Sequence, residues 1–182
     1  TENPEVEKLL LSGKENIDSI FQYLNPNLEN VSQVQKALRH LKQKEGEDNG
    51  AKIRVLIADD VRINVRLLNS ILINDDLICE ILFAYDGIET MNTMVDSSQS
   101  GNPVDVIFLD HHMPGKLGSE VAETLKQEQK ENNKTKTIIV SITNDPEAIQ
   151  NKKALYDYHI GKPFNKAAVL DVFNSIKEDM QA

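Results

Sequence analysis

The sequence predicts an α/β protein: a parallel sheet with helices on both faces, preceded by a short all-helical stretch. Two observations carry this expectation. From residue 53 onward, short apolar runs alternate with amphipathic stretches five times in succession, the rhythm of consecutive βα units joined by right-handed crossovers. Before residue 50 that rhythm is absent, and each periodic segment has helical spacing.

Taken in order, the first segment opens with Asn3 as a cap, Pro4 at the first helical position, and Glu5 and Glu7 in the opening turn. Ser12 and Glu15 have capping-box spacing, and Ile17, Ile20, Phe21 and Leu24 follow at helical intervals. Asn25-Pro26-Asn27 breaks the run. Ser32 and Gln35 then repeat the box ahead of an apolar line of Val34, Leu38 and Leu41. The polar stretch from Glu45 to Gly50 reads as a linker. Residues 1–50 are thus expected to form a helical extension, and residues 51–182 the main domain. The apolar line of the extension has two uses: lying on that domain, or pairing with a second copy in a homodimer.

In the main domain, strands are expected at Ile53 to Ala58, Leu77 to Ala84, Val104 to Leu109, Thr137 to Thr143 and Tyr158 to Gly161. Helices are expected at about 62–74, 87–98, 117–131, 146–155 and 165–179. Strands two through four are apolar over consecutive positions, as when both faces of a sheet are covered.

Composition narrows the function classes. A formal charge of -9 argues against non-specific binding to nucleic acid or to anionic lipid. No apolar run approaches the length of a membrane span. The single cysteine, Cys79, excludes an internal disulfide framework and fits a reducing compartment; it reads as a small core residue. The cytoplasm is the expected location, with the nucleus as the alternative. No second domain pattern follows the last helix, so a stand-alone domain is expected.

Sheets of this kind place their sites beyond the carboxyl ends of the strands. There the sequence sets Asp59 and Asp60 after the first strand, Asp110 after the third, Thr143 after the fourth and Lys162 after the fifth. Each alone is an ordinary strand-end or capping residue; together, on one edge of one sheet, they are hard to explain as such. Clustered carboxylates repel and call for a cation, and Mg²⁺ is the hard, oxygen-seeking candidate. A carboxylate can also attack phosphorus, while a metal, an ammonium and a hydroxyl hold the equatorial oxygens.

With Val55-Leu56-Ile57-Ala58-Asp59-Asp60, Phe108-Leu109-Asp110 with Met113-Pro114, Ile138 to Thr143 and Lys162-Pro163-Phe164 in order, and with Asp86-Gly87 and Gly118 between them, residues 53 to about 180 resemble a receiver domain of two-component and phosphorelay signalling. The resemblance implies a flavodoxin-like, chemotaxis-regulator-like fold with strand order 2-1-3-4-5. It implies Asp110 as phosphoacceptor, and Asp59, Asp60, Asp110 and the backbone carbonyl of His112 around Mg²⁺. Thr143 and Lys162 are implied to engage the phosphoryl group, Thr143 and His159 to form the switch, and the Lys162–Pro163 bond to be cis. The implied partners are a histidine kinase or histidine-phosphotransfer protein and an unidentified downstream protein. Apart from its own phosphoryl transfer and slow loss, such a domain is not an enzyme. Asn64, shortly after the acidic pair, and the Asn-, Asp- and Lys-rich composition resemble eukaryotic phosphorelay receivers, including fungal stress-response regulators.

Some positions depart from the family pattern. His159 stands where Tyr or Phe is common, which would make the switch pH-sensitive near pH 6.5. His112 and Asp145 are polar at positions that help set how fast the phosphoryl group is lost, so measurable self-dephosphorylation is expected. Asn144 replaces a small residue and Leu117 an acidic one. Two other readings compete. His111-His112 beside the acidic cluster could suggest zinc or iron, but adjacent histidines on an extended chain point to opposite sides. A pseudo-receiver, a binding module independent of phosphorylation, would usually lack one of the site residues, and none is missing.

Overall fold

The computed structural model describes residues 52–132, 136–145 and 153–181. The expected N-terminal helices, the linker and most of the helix expected at 146–155 lie outside the described residues. The elements are β1 (Ile53–Ala58), α1 (Arg62–Leu72), β2 (Ile78–Ala84), α2 (Gly87–Gln99), β3 (Val106–Asp110), α3 (Gly118–Asn132), β4 (Ile138–Ile142), a 3₁₀ turn (Lys153–Leu155), β5 (Tyr158–Ile160) and α4 (Lys166–Gln181).

The five strands form one parallel sheet in the order β2-β1-β3-β4-β5, the expected doubly wound topology. Strand alternation divides the core between the two faces. Val55, Ile57, Val106 and Phe108 point to one face, where Leu68 and Leu72 of α1 and Val169, Phe173 and Ile176 of α4 cover them. Leu56, Ala58, Ile107 and Leu109 point to the other, under Met94 of α2 and Val121, Ala122 and Leu125 of α3. Burying each large apolar side chain contributes about 1.5–3 kcal/mol. Every residue of β3 is buried. β2, although nearly as apolar in sequence, is an edge strand and only partly covered. Cys79 is half-buried there, its Sγ 3.5 Å from the Ile53 carbonyl oxygen.

β2, β4 and β5 are each trimmed by one residue at one or both ends relative to expectation, and β3 is shifted at both. β3 starts at Val106 rather than Val104, because the Asp105 carboxylate accepts the Arg54 backbone N–H (2.7 Å) and the Val104 carbonyl accepts the Thr137 hydroxyl (2.9 Å). β3 also runs one residue further than expected and takes in Asp110. This extends the alternation: Asp110 lies two residues beyond Phe108, and Asp59 two beyond Ile57. The apolar pattern that buries one face thus delivers both carboxylates to the same side at the strand ends. The Lys162–Pro163 bond is cis.

Candidate functional site

Asp59 and Asp110 are buried, with 1% and 5% of their surfaces exposed. The Lys162 ammonium lies between them, 2.8 Å from Asp59 Oδ2 and 3.0 Å from Asp110 Oδ1. Carboxylate oxygens of Asp59, Asp60 and Asp110 all lie within 4.8 Å of one another, with Asp60 the solvent-facing member. The donor set is all oxygen, which suits a hard divalent ion.

Asp59 is held from several directions. Its Oδ1 accepts the Val61 backbone N–H (2.8 Å), and the Asn64 side-chain amide donates to both oxygens, at 3.1 and 3.0 Å. The Val61 contact stands in for a side-chain cap, which α1 otherwise lacks. Asn64, noted in the sequence only for its likeness to phosphorelay receivers, thus has a direct structural task. An amide one turn into the helix after an acidic pair is the signal that could have revealed it.

Asp110 Oδ1 also accepts the His111 backbone N–H at 2.8 Å. Burial pushes the Asp110 carboxyl upward; the hydrogen bond and charge of Lys162 oppose this and Asp59 adds to it, and the balance lies above the ordinary range. Burial would lower Lys162, but hydrogen bonds to Asp59 and then Asp110 outweigh it and raise the ammonium above its usual value. It therefore stays charged at neutral pH.

Thr143 is buried just past β4, its backbone N–H donating to the Ile160 carbonyl (3.2 Å) and its Oγ accepting the Asp145 N–H (3.1 Å). Close backbone contact shapes the turn after β3. Gly118 N–H donates to the His111 carbonyl at 2.8 Å, and a Cβ on Gly118 would fall 2.0 Å from the Asp110 carbonyl oxygen.

His159 is exposed on β5, paired in register with Ser141 rather than with Thr143. Partial burial lowers its imidazole below the ordinary value, against the opposing effect of a hydrogen bond with the Ser141 backbone. Its charging thus lies at more acidic pH than the sequence alone suggests.

The expectation that His111 and His112 diverge fails. The chain bends as soon as β3 ends, so it is not extended there. The two rings meet edge to face with centroids 4.6 Å apart, and His112 Nε2 lies 3.2 Å from Asp145 Oδ2.

A family model described as the response regulator receiver domain matches residues 55–174. The chain belongs to that family. Among its relatives, the stress response regulator protein 1 of Meyerozyma guilliermondii is 28% identical over 130 residues, 70% of this chain and 58% of that protein. The peroxide stress-activated histidine kinase mak2 of Schizosaccharomyces pombe is 30% identical over 127 residues, 68% of this chain and 5% of the kinase. This receiver therefore spans little more than half of the fungal regulator and a small part of the kinase. A solved structure holds the Saccharomyces cerevisiae histidine phosphotransfer signalling protein Ypd1 with the receiver domain of its downstream response regulator Ssk1. That match has 28% identity and a TM-score of 0.59, covering 74% of this chain and 94% of that one. The chain is a receiver domain of phosphorelay signalling.

Proposed function

We propose that Asp110 accepts a phosphoryl group from a phosphohistidine, carried by a histidine kinase or a histidine-phosphotransfer protein, and that acceptance alters which partner the receiver binds. The observation that carries this reading is the sharing of one ammonium by two buried carboxylates at the strand ends. Asp110 Oδ1 is held by His111 and Lys162, so the attack is assigned to Oδ2. A bond forms from that oxygen to phosphorus as the N–P bond breaks, its electron pair returning to the imidazole nitrogen of the donor.

Asp59, Asp60, Asp110 and the His112 carbonyl are the ligands proposed for Mg²⁺. When bound, the ion neutralises charge on the phosphoryl oxygens and on the carboxylates around them. Lys162 offsets charge on a further oxygen. Thr143 Oγ already accepts from the Asp145 N–H, so what it offers a phosphoryl oxygen is its proton. Asn64 and the Val61 N–H keep Asp59 from swinging onto the nucleophile. The likeness to a receiver solved with Ypd1 supports a phosphotransfer protein as donor.

Incubating the protein with Mg²⁺ and acetyl phosphate, or with a phosphorylated histidine protein, tests this. Intact mass should rise by one phosphoryl group, and not in Asp110→Asn. Uptake that survives this substitution, or that proceeds equally in a chelator, would overturn the assignment.

A further inference from the structure

We propose that His111, His112 and Asp145 form a second metal site, separate from the carboxylate cluster, that takes Zn²⁺. One nitrogen from each imidazole and one Asp145 carboxylate oxygen lie within 4.8 Å of one another. The His112 Nε2 to Asp145 Oδ2 separation is 3.2 Å. Two donors bound to zinc at about 2.0–2.1 Å with tetrahedral geometry sit about 3.3 Å apart. That edge of the polyhedron is therefore already set. The third donor, a His111 nitrogen, lies within 4.8 Å of both, so closing the polyhedron asks the exposed His112 and the loop residue Asp145 to move toward it.

Burial fits the same reading. His111 is 8% exposed and so arrives as a fixed ligand. The side chains of His112 and Asp145 are 62% and 29% exposed, leaving an ion a path from solvent. Asp145 is anchored in turn by its backbone N–H on Thr143 Oγ. Three protein ligands leave a fourth position for water.

Donor chemistry separates the two sites. Imidazole nitrogens favour zinc, whereas Mg²⁺ prefers oxygen and keeps its waters. The same short turn after β3 would then serve two ions of different character, with the His111 and His112 side chains turned to zinc and the Asp110 carboxylate to magnesium.

Calorimetric titration of Zn²⁺ into the full chain, in excess Mg²⁺ to fill the carboxylate cluster, tests the site. Co²⁺ serves as a second probe through its visible absorption, which intensifies in four-coordinate nitrogen and oxygen surroundings. One ion should bind, and His112→Ala and Asp145→Ala should each weaken binding about tenfold or more. His40→Ala and His159→Ala should leave it unchanged. Circular dichroism on each variant checks that the fold persists. Three results would overturn the proposal: no uptake in excess Mg²⁺, uptake indifferent to both substitutions, or uptake lost with Asp59→Asn or His159→Ala instead.

Discussion

The two ends of the sheet use the same kinds of charged residue to opposite effect. At the amino end, Asp157 takes Lys126 at 2.8 Å, Lys136 at 3.2 Å and the Ile139 N–H at 2.9 Å. Arg54 pairs with Glu80 while its backbone N–H donates to Asp105. Burial alone would raise Asp157, yet Lys126 and the Ile139 N–H bring it below the ordinary range. At the carboxyl end, Asp59 and Asp110 share the single ammonium of Lys162, and Asp110 is pushed up. At one end a single carboxylate holds two ammonium groups; at the other, two buried carboxylates share one.

The strongest test removes the shared ammonium. Lys162→Met leaves two buried carboxylates without a cation, which should cost about 3–5 kcal/mol in metal-free buffer. Excess Mg²⁺ should restore most of it in urea denaturation; no restoration would mean the carboxyl end does not lack charge. Next comes Gly118→Ala, whose Cβ would meet the Asp110 carbonyl oxygen. Relief of that contact has to shift the α3 start or the β3 end, and a loss of about 3 kcal/mol is expected in thermal unfolding.

Lys126→Met probes the amino end. It should cost about 2 kcal/mol, and Mg²⁺ should recover none of it. The pH dependence sharpens the same contrast. Because the folded pKa of Asp157 is lowered, its contribution is present above the unfolded value and lost as pH falls through the folded one. Asp157→Asn should therefore flatten the acid limb of the stability profile. The smallest effect is expected for Asn64→Ala, about 1 kcal/mol, with weaker Mg²⁺ binding by calorimetry as Asp59 loses its clamp.

The fold was legible because the strands are apolar over consecutive positions and the helices are periodic, and both signals follow from burial. Asp59, Asp110, Thr143 and Lys162 were legible as a group because strand ends of a parallel sheet share an edge. Side-chain meetings set by irregular backbone were not. The convergence of His111, His112 and Asp145 depends on a bend that no periodicity announces. The pairing of Asp157 with Lys126 joins residues 31 positions apart, and neither carries a motif. The downward shift of His159 depends on its partial burial beside Ser141, its register partner on β4.

Gly87 and Gly118 bracket the turn that follows β3. Gly87 N–H donates to the Pro114 carbonyl at 2.9 Å, and a Cβ there would sit 2.3 Å from the Lys116 carbonyl oxygen. The start of α2 and the start of α3 thus grip one loop from opposite sides, leaving no space for a methyl group. In a saturation library, both positions should tolerate as little variation as Asp110, although neither offers a functional group. Tolerance maps of this domain will therefore mark the mould along with the chemistry it shapes.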